Sequence, residues 1–168
     1  PTYQWYKDTA LISSASNNSY TISSVTTPSS GNYYCIVTNS CGSVQSTYKA
    51  LAVNTPATVV SQSSNTTLCK GQVMNFNVMA TGSSPIGYQW YFNNNPITGA
   101  TNDIYSINSV DVGNAGSYYC RATNTCAVSQ SGNIALTVNT PPFITAQSTS
   151  ATKCVGQSQT FSVTVTGS

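Results

Sequence analysis

Cysteines are the residues best placed to do chemistry, and they recur at a fixed spacing. NYYCIVTNSCG at 32–42 returns as SYYCRATNTCA at 117–127, with Cys35 and Cys41 in register with Cys120 and Cys126. The same offset links Cys69 to Cys154, Trp5 to Trp90, Gly31 to Gly116 and Phe76 to Phe161. A thiol can serve as a disulfide partner, a metal ligand or a nucleophile. Zinc needs about four converging nitrogen or sulfur ligands, and this chain has no His, three cysteines per repeat and no C-x-x-C. Calcium needs clustered carboxylates, whereas the acids are Asp8, Asp103 and Asp111 alone. A nucleophile needs a base, and without His or Glu the candidates are isolated Asp and a few Lys. No metal, cofactor or catalytic site is expected, which leaves disulfide chemistry. Three cysteines per repeat, an odd number, cannot all pair inside one repeat.

The elements that hold these cysteines belong to a repeat without insertions. A period of 85 is too long for most solenoid units but suits a small domain that closes its own core. AVNTPATVV (52–60) and TVNTPPFIT (137–145) mark the boundaries, where strand-like runs meet proline, which cannot donate to a sheet ladder and stiffens the chain. The expected division is 1–55, the C-terminal part of a repeat; 56–140, a complete repeat; and 141–168, the N-terminal strands of a third. Joined tail to head, the two partial stretches fall just short of one full period. Two expectations fit that complementarity: a window on a longer array, or an assembly in which one chain's tail completes another's head.

Charged residues make up only 5% of the chain and the net charge is +2, so no nucleic-acid footprint is expected. No apolar run approaches the ~20 residues of a membrane span, so direct membrane insertion is not expected. In the complete repeat, GQVMNFNVMATG alternates around Phe76, Val78 and Ala80. GYQWYF points Trp90 inward, and IYSINSV, SYYCRATN and NIALTVN continue at period two. No stretch shows a 3.6-residue period. Short strands separated by Gly, Asn and Pro turns imply an all-β sandwich.

An inward Trp in YQWY followed by N-x-G-x-Y-x-C (Asn114, Gly116, Tyr118, Cys120) resembles the immunoglobulin fold, closest to its intermediate set. The resemblance implies tandem immunoglobulin-like β-sandwich domains, with Trp5 and Trp90 in the core on the third strand. It makes Tyr33 and Tyr118 the tyrosine-corner residues, and places Cys35 and Cys120 on the sixth strand facing the core. More narrowly, C-x-G-Q, YQWY, YYC-x-x-TN-x-C and a V-N-T-P linker resemble the repeats of large Bacteroidota surface proteins, which implies a bacterial cell-surface location and type IX secretion. Two departures stand out: Asn114 and Ser29 replace the usual acid before the corner Gly, and Val78 and Val163 occupy the place of the usual second-strand cysteine.

On that topology Cys69 lies at the lower corner of its domain and Cys126 in the turn between the sixth and seventh strands, at the upper end. They would be a strand length apart, beyond the ~7 Å Cα limit for a disulfide. One expectation pairs each Cys69-type residue with the Cys126-type residue of the following repeat, so that Cys41, Cys69, Cys126 and Cys154 bond mainly between repeats. Cys35 and Cys120 then stay reduced as small core residues. The rival is an intradomain Cys69–Cys120 bond.

Asp8-Thr9-Ala10 resembles the three-residue O-glycosylation site of Bacteroidota, with Thr9 as acceptor. Asn17 and Asn65 match N-x-S/T and matter only in a host that glycosylates asparagine. Tyr6, Tyr91 and Phe92 fall on the outward parity or near a strand end, where they could stack on sugar or form an edge or interdomain contact. The expected function is a non-enzymatic, extracellular stalk or fibre that projects or adheres. Its partners would be neighbouring repeats, with surface glycans or host and cell-surface ligands as further candidates. The alternatives are a glycan-binding module and a filament subunit completed by strand donation.

Overall fold

The computed structural model describes residues 1–168, which divide into the units Pro1–Thr55 and Pro56–Ser168. In the first unit, β1 (Thr2–Lys7), β2 (Ala10–Leu11), β3 (Gly31–Asn39), β4 (Gly42–Gln45) and β5 (Lys49–Leu51) form one antiparallel sheet. The second unit continues with β6 (Thr58–Gln62), β7 (Thr66–Cys69), β8 (Met74–Thr81), β9 (Gly87–Phe92), β10 (Asn95–Pro96) and β11 (Ile104–Ile107). β12 (Gly116–Thr123), β13 (Val128–Gln130) and β14 (Ile134–Asn139) follow, then the pair β15 (Phe143–Gln147) and β16 (Val163–Thr166).

Residues 56–140 fold as two sheets face to face. One has the order β11-β8-β6 and the other β10-β9-β12-β14-β7, with β13 also on β12. Alternation drives this arrangement: along β8, Met74, Phe76 and Val78 are buried while Asn75, Asn77 and Met79 face out. With Trp90, Val110, Tyr118, Cys120, Ile134, Leu136 and Val138 they make one core. The ring of Phe76 lies 4.2 Å from that of Tyr118 and 5.9 Å from that of Trp90. Burying a ring with a polar tip requires a partner for that tip; the Trp90 indole N–H donates to Asn102 O at 2.9 Å, and the Tyr118 hydroxyl donates to Asn114 O at 2.8 Å. That second bond is the expected tyrosine corner. Gly82 is required where it stands, because at φ +139° an added Cβ would meet Pro56 O at 2.7 Å.

The first unit repeats half of this design. β1 pairs β3 from Thr2↔Thr38 to Lys7↔Tyr33, as β9 pairs β12 from Gly87↔Thr123 onward. The Trp5 indole and Tyr33 hydroxyl also find their backbone acceptors, Asn17 O and Ser29 O. The stretch 19–22, equivalent to β11, is not a strand, since its partner in the other sheet is not part of this unit. Residues 141–168 repeat the complementary half. β15 pairs β16 from Phe143↔Thr166 to Gln147↔Val163 with a bulge after Ile144, matching β6 on β8 with a bulge after Val59.

Candidate functional site

The cysteines sort into two environments. Cys35 and Cys120 are buried, whereas Cys41, Cys69, Cys126 and Cys154 are exposed. None of the six sulfurs is joined to another. Cys120 lies opposite Trp90 on β12, its amide held by the Ser131 hydroxyl at 2.9 Å. Burial raises its thiol pKa to about 11, so at neutral pH it is protonated and acts as a small apolar side chain. Val78 lies in the same core, where the usual inter-sheet bridge would have its other sulfur.

The exposed cysteines sit in capped turns. The Cys69 amide donates to Gln72 Oε1 at 2.7 Å, and Cys154 does the same to Gln157 at 2.9 Å. The Cys126 amide donates to Asn124 Oδ1 at 3.0 Å, and Cys41 does the same to Asn39 at 2.8 Å. Each turn thus presents its cysteine through a side chain close by in sequence. Beside Cys69, Lys70 Nζ meets Asp111 Oδ2 at 3.0 Å. That ion pair and the Val112 amide hold the Asp111 carboxyl below its usual pKa. Asp111 also caps the short 3-10 turn Val112–Asn114.

The outward aromatic residues are engaged with one another. Tyr91 stacks on Tyr119 with centroids 4.7 Å apart, and the Arg121 guanidinium lies 5.0 Å from the Tyr91 ring and 5.9 Å from the Tyr119 ring. In the first unit Tyr6 stacks on Tyr34 at 5.0 Å, with Tyr48 edge-on to Tyr34. Phe92, read from sequence as outward or at a strand end, instead packs inward, 4.8 Å from Tyr118; it shares the parity of Trp90. Thr9 is exposed in the β1–β2 turn. Its neighbour Asp8 holds the Asn32 amide at 2.9 Å, as Asn93 holds that of Ser117 at 3.0 Å. Asn17 is exposed, while Asn65 is exposed with its Oδ1 taken by the Ala135 amide. No helix is long and apolar enough to cross a membrane.

A sequence profile of the immunoglobulin domain matches residues 1–53 and 51–138. The chain belongs to the immunoglobulin-domain family. Among curated proteins it is similar to mouse hemicentin-1, 29% identical over 157 residues, covering 86% of this chain and 3% of that protein. It is also similar to the chicken cell adhesion molecule DSCAML1, 28% identical over 186 residues, covering 97% of this chain and 9% of that protein. It therefore spans a small fraction of either relative. An I-band fragment of titin, domains I67–I69, shares the fold with a TM-score of 0.69 at 21% identity, over 83% of this chain and 56% of that one. None of these matches carries the narrower likeness to Bacteroidota arrays or type IX secretion.

Sequence reading missed the Lys70–Asp111 pair and the Arg121 cap. Both join residues from separate strands or turns, and no local pattern announces them.

Proposed function

We propose that this chain is a load-bearing segment of an extracellular adhesive or structural array, non-enzymatic and divided into repeats at 55/56 and 140/141. The observation that carries the reading is the parallel pairing of β7 with β14, from Leu136↔Thr66 to Asn139↔Cys69. These strands stand near opposite ends of the repeat in sequence yet adjoin in one sheet. A pull on residues 56 and 140 loads their ladder in shear, so its hydrogen bonds must fail together instead of unzipping singly. Each domain would add on the order of 40 Å, from strands rising about 3.3 Å per residue. A surface poor in charge and rich in hydroxyls and amides suits a spacer. Location at a bacterial surface, O-glycosylation at Thr9 and ligands at the cell surface are finer parts of the same proposal.

A glycan-binding role draws less support, because Tyr6 and Tyr91 spend ring surface on Tyr34 and on Tyr119 with Arg121. Glycan-array binding by the full chain that disappears on Tyr91→Ala would overturn the spacer reading in its favour; the spacer reading expects no such binding. Strand donation between copies is favoured by one observation: β15–β16 and the sheet of 1–55 are complementary parts of one sandwich. Concentration-dependent self-association lost on disrupting β16 would support it.

A further inference from the structure

We propose that Cys69 forms a disulfide with the β12–β13-turn cysteine of a complete repeat that follows it, the residue equivalent to Cys126, so that successive domains are stapled at their junction. This deepens the structural-array reading and rests on it.

Three observations converge. Cys69 sits where the chain leaves its repeat: it pairs with Asn139 in register, and the Lys70 amide donates to Asn139 O at 2.8 Å. Cys126 sits where the chain enters: its amide and that of Ala57 donate to the same Asn124 Oδ1, at 3.0 and 3.1 Å. The entering geometry recurs one period later. A Cβ added at Gly167 would meet Pro142 Cα at 2.8 Å, as one added at Gly82 would meet Ala57 Cα at 3.0 Å. Pro142 has no N–H and cannot repeat Ala57's hydrogen bond, but its packing is kept. In a following repeat the Cys126 equivalent therefore lies beside Pro142. The short link from Asn139 to Pro142 spans at most about 11 Å of chain. Covalent connectivity thus keeps the two turns close, and the proposed bond draws them to the roughly 4.4–6.8 Å Cα separation that a disulfide spans.

The same geometry rejects the competing pairs. Cys69 and Cys126 of one repeat occupy opposite ends of it. Cys69 and Cys120 belong to one sheet but to opposite faces. Leu68 packs against the core and Cys69, next along β7, is exposed, whereas Cys120 is fully buried. A bridge between them would have to pass through the sheet.

The bond forms by thiol–disulfide exchange with an external disulfide as oxidant. One protein thiolate attacks it, giving a mixed disulfide and releasing one thiol. The second protein thiolate then displaces the other thiol, so that two protons and two electrons leave the protein pair and one disulfide is reduced to two thiols.

The test extends the full chain beyond Ser168 with a second copy of residues 84–140, which completes the third repeat. The protein is equilibrated with reduced and oxidised glutathione, alkylated and mapped without reduction by mass spectrometry. The expected result is a peptide linking Cys69 to the appended equivalent of Cys126, abolished by Cys69→Ser. Cys120 should be alkylated only after denaturation. Cys69 recovered as a glutathione adduct, as an alkylated thiol or bonded to Cys120 would overturn the staple. An unlinked Cys69 in a chain that still unfolds under load in a discrete step rejects the staple alone. Loss of that step would reject the array reading itself.

Discussion

Phe76 and Phe161 hold the same place in the repeat, yet Phe76 is fully buried and Phe161 is 73% exposed. The neighbouring strand pairs share the same register and bulge, but β8 runs from Met74 and holds Phe76, whereas β16 begins only at Val163, after Phe161. Backbone pairing is therefore specified by the two strands and the loop between them, whereas burial waits for the opposite sheet. The first unit makes the complementary point: the Tyr33 corner and the Trp5 hydrogen bond form, yet no strand forms at 19–22. Local polar contacts survive without the second sheet, but the core does not.

Substitution at these paired positions should break the comparison most sharply. Phe76→Ala should cost the central domain about 3–5 kcal/mol, read as a fall in its denaturation midpoint, whereas Phe161→Ala should change stability by less than about 0.5 kcal/mol. Equal effects would mean that the exposed strand pair is packed as firmly as the complete core. Tyr118→Phe removes one hydrogen bond in a buried setting and should cost about 1 kcal/mol. Burial raises the Tyr118 phenol pKa to about 12, so that cost should be flat across neutral pH. Arg121→Ala should cost about 0.5–1 kcal/mol through its lost contact with Tyr91 and Tyr119. The equivalent residue in the first unit is Ile36, which has no such charge to lose.

The smallest effect concerns pH. The Asp111 carboxyl is held below its usual pKa by Lys70 and the Val112 amide, so the native state favours its charged form. Its contribution is present above the unfolded carboxyl pKa and is lost as pH falls through the lowered native value. Acid titration should show a shallow loss of stability below about pH 4, absent in Asp111→Asn.

Much of the fold was legible because it rests on short-range pattern. Period-two burial along Met74–Thr81 and the inward Trp90 follow from local spacing, and the Tyr118 corner from the immunoglobulin resemblance. The inward Cys120 was legible from strand parity, while the exposed places of Cys69 and Cys126 came from the topology that the resemblance implies. The stacked outer tyrosines were not, because Tyr91 and Tyr119 are brought opposite each other by cross-strand register. Lys70 and Asp111 are similarly remote in sequence, and only the approach of their two turns joins them. The parallel β7–β14 pairing is the least legible feature, since nothing in Thr66–Cys69 names the distant stretch Leu136–Asn139 as its partner.

That pairing carries the proposal that the central repeat bears load, and pulling the full chain by its ends in a single-molecule force experiment tests it most directly. The account predicts one discrete unfolding event for residues 56–140, releasing roughly 250 Å of chain, with a force that drops further in Leu68→Pro, which removes an amide facing β14 in the register Leu68↔Val138, than in Leu68→Ala, which removes packing alone. Smooth extension with no event of that length, or an unfolding force no lower in Leu68→Pro than in Leu68→Ala, would contradict it.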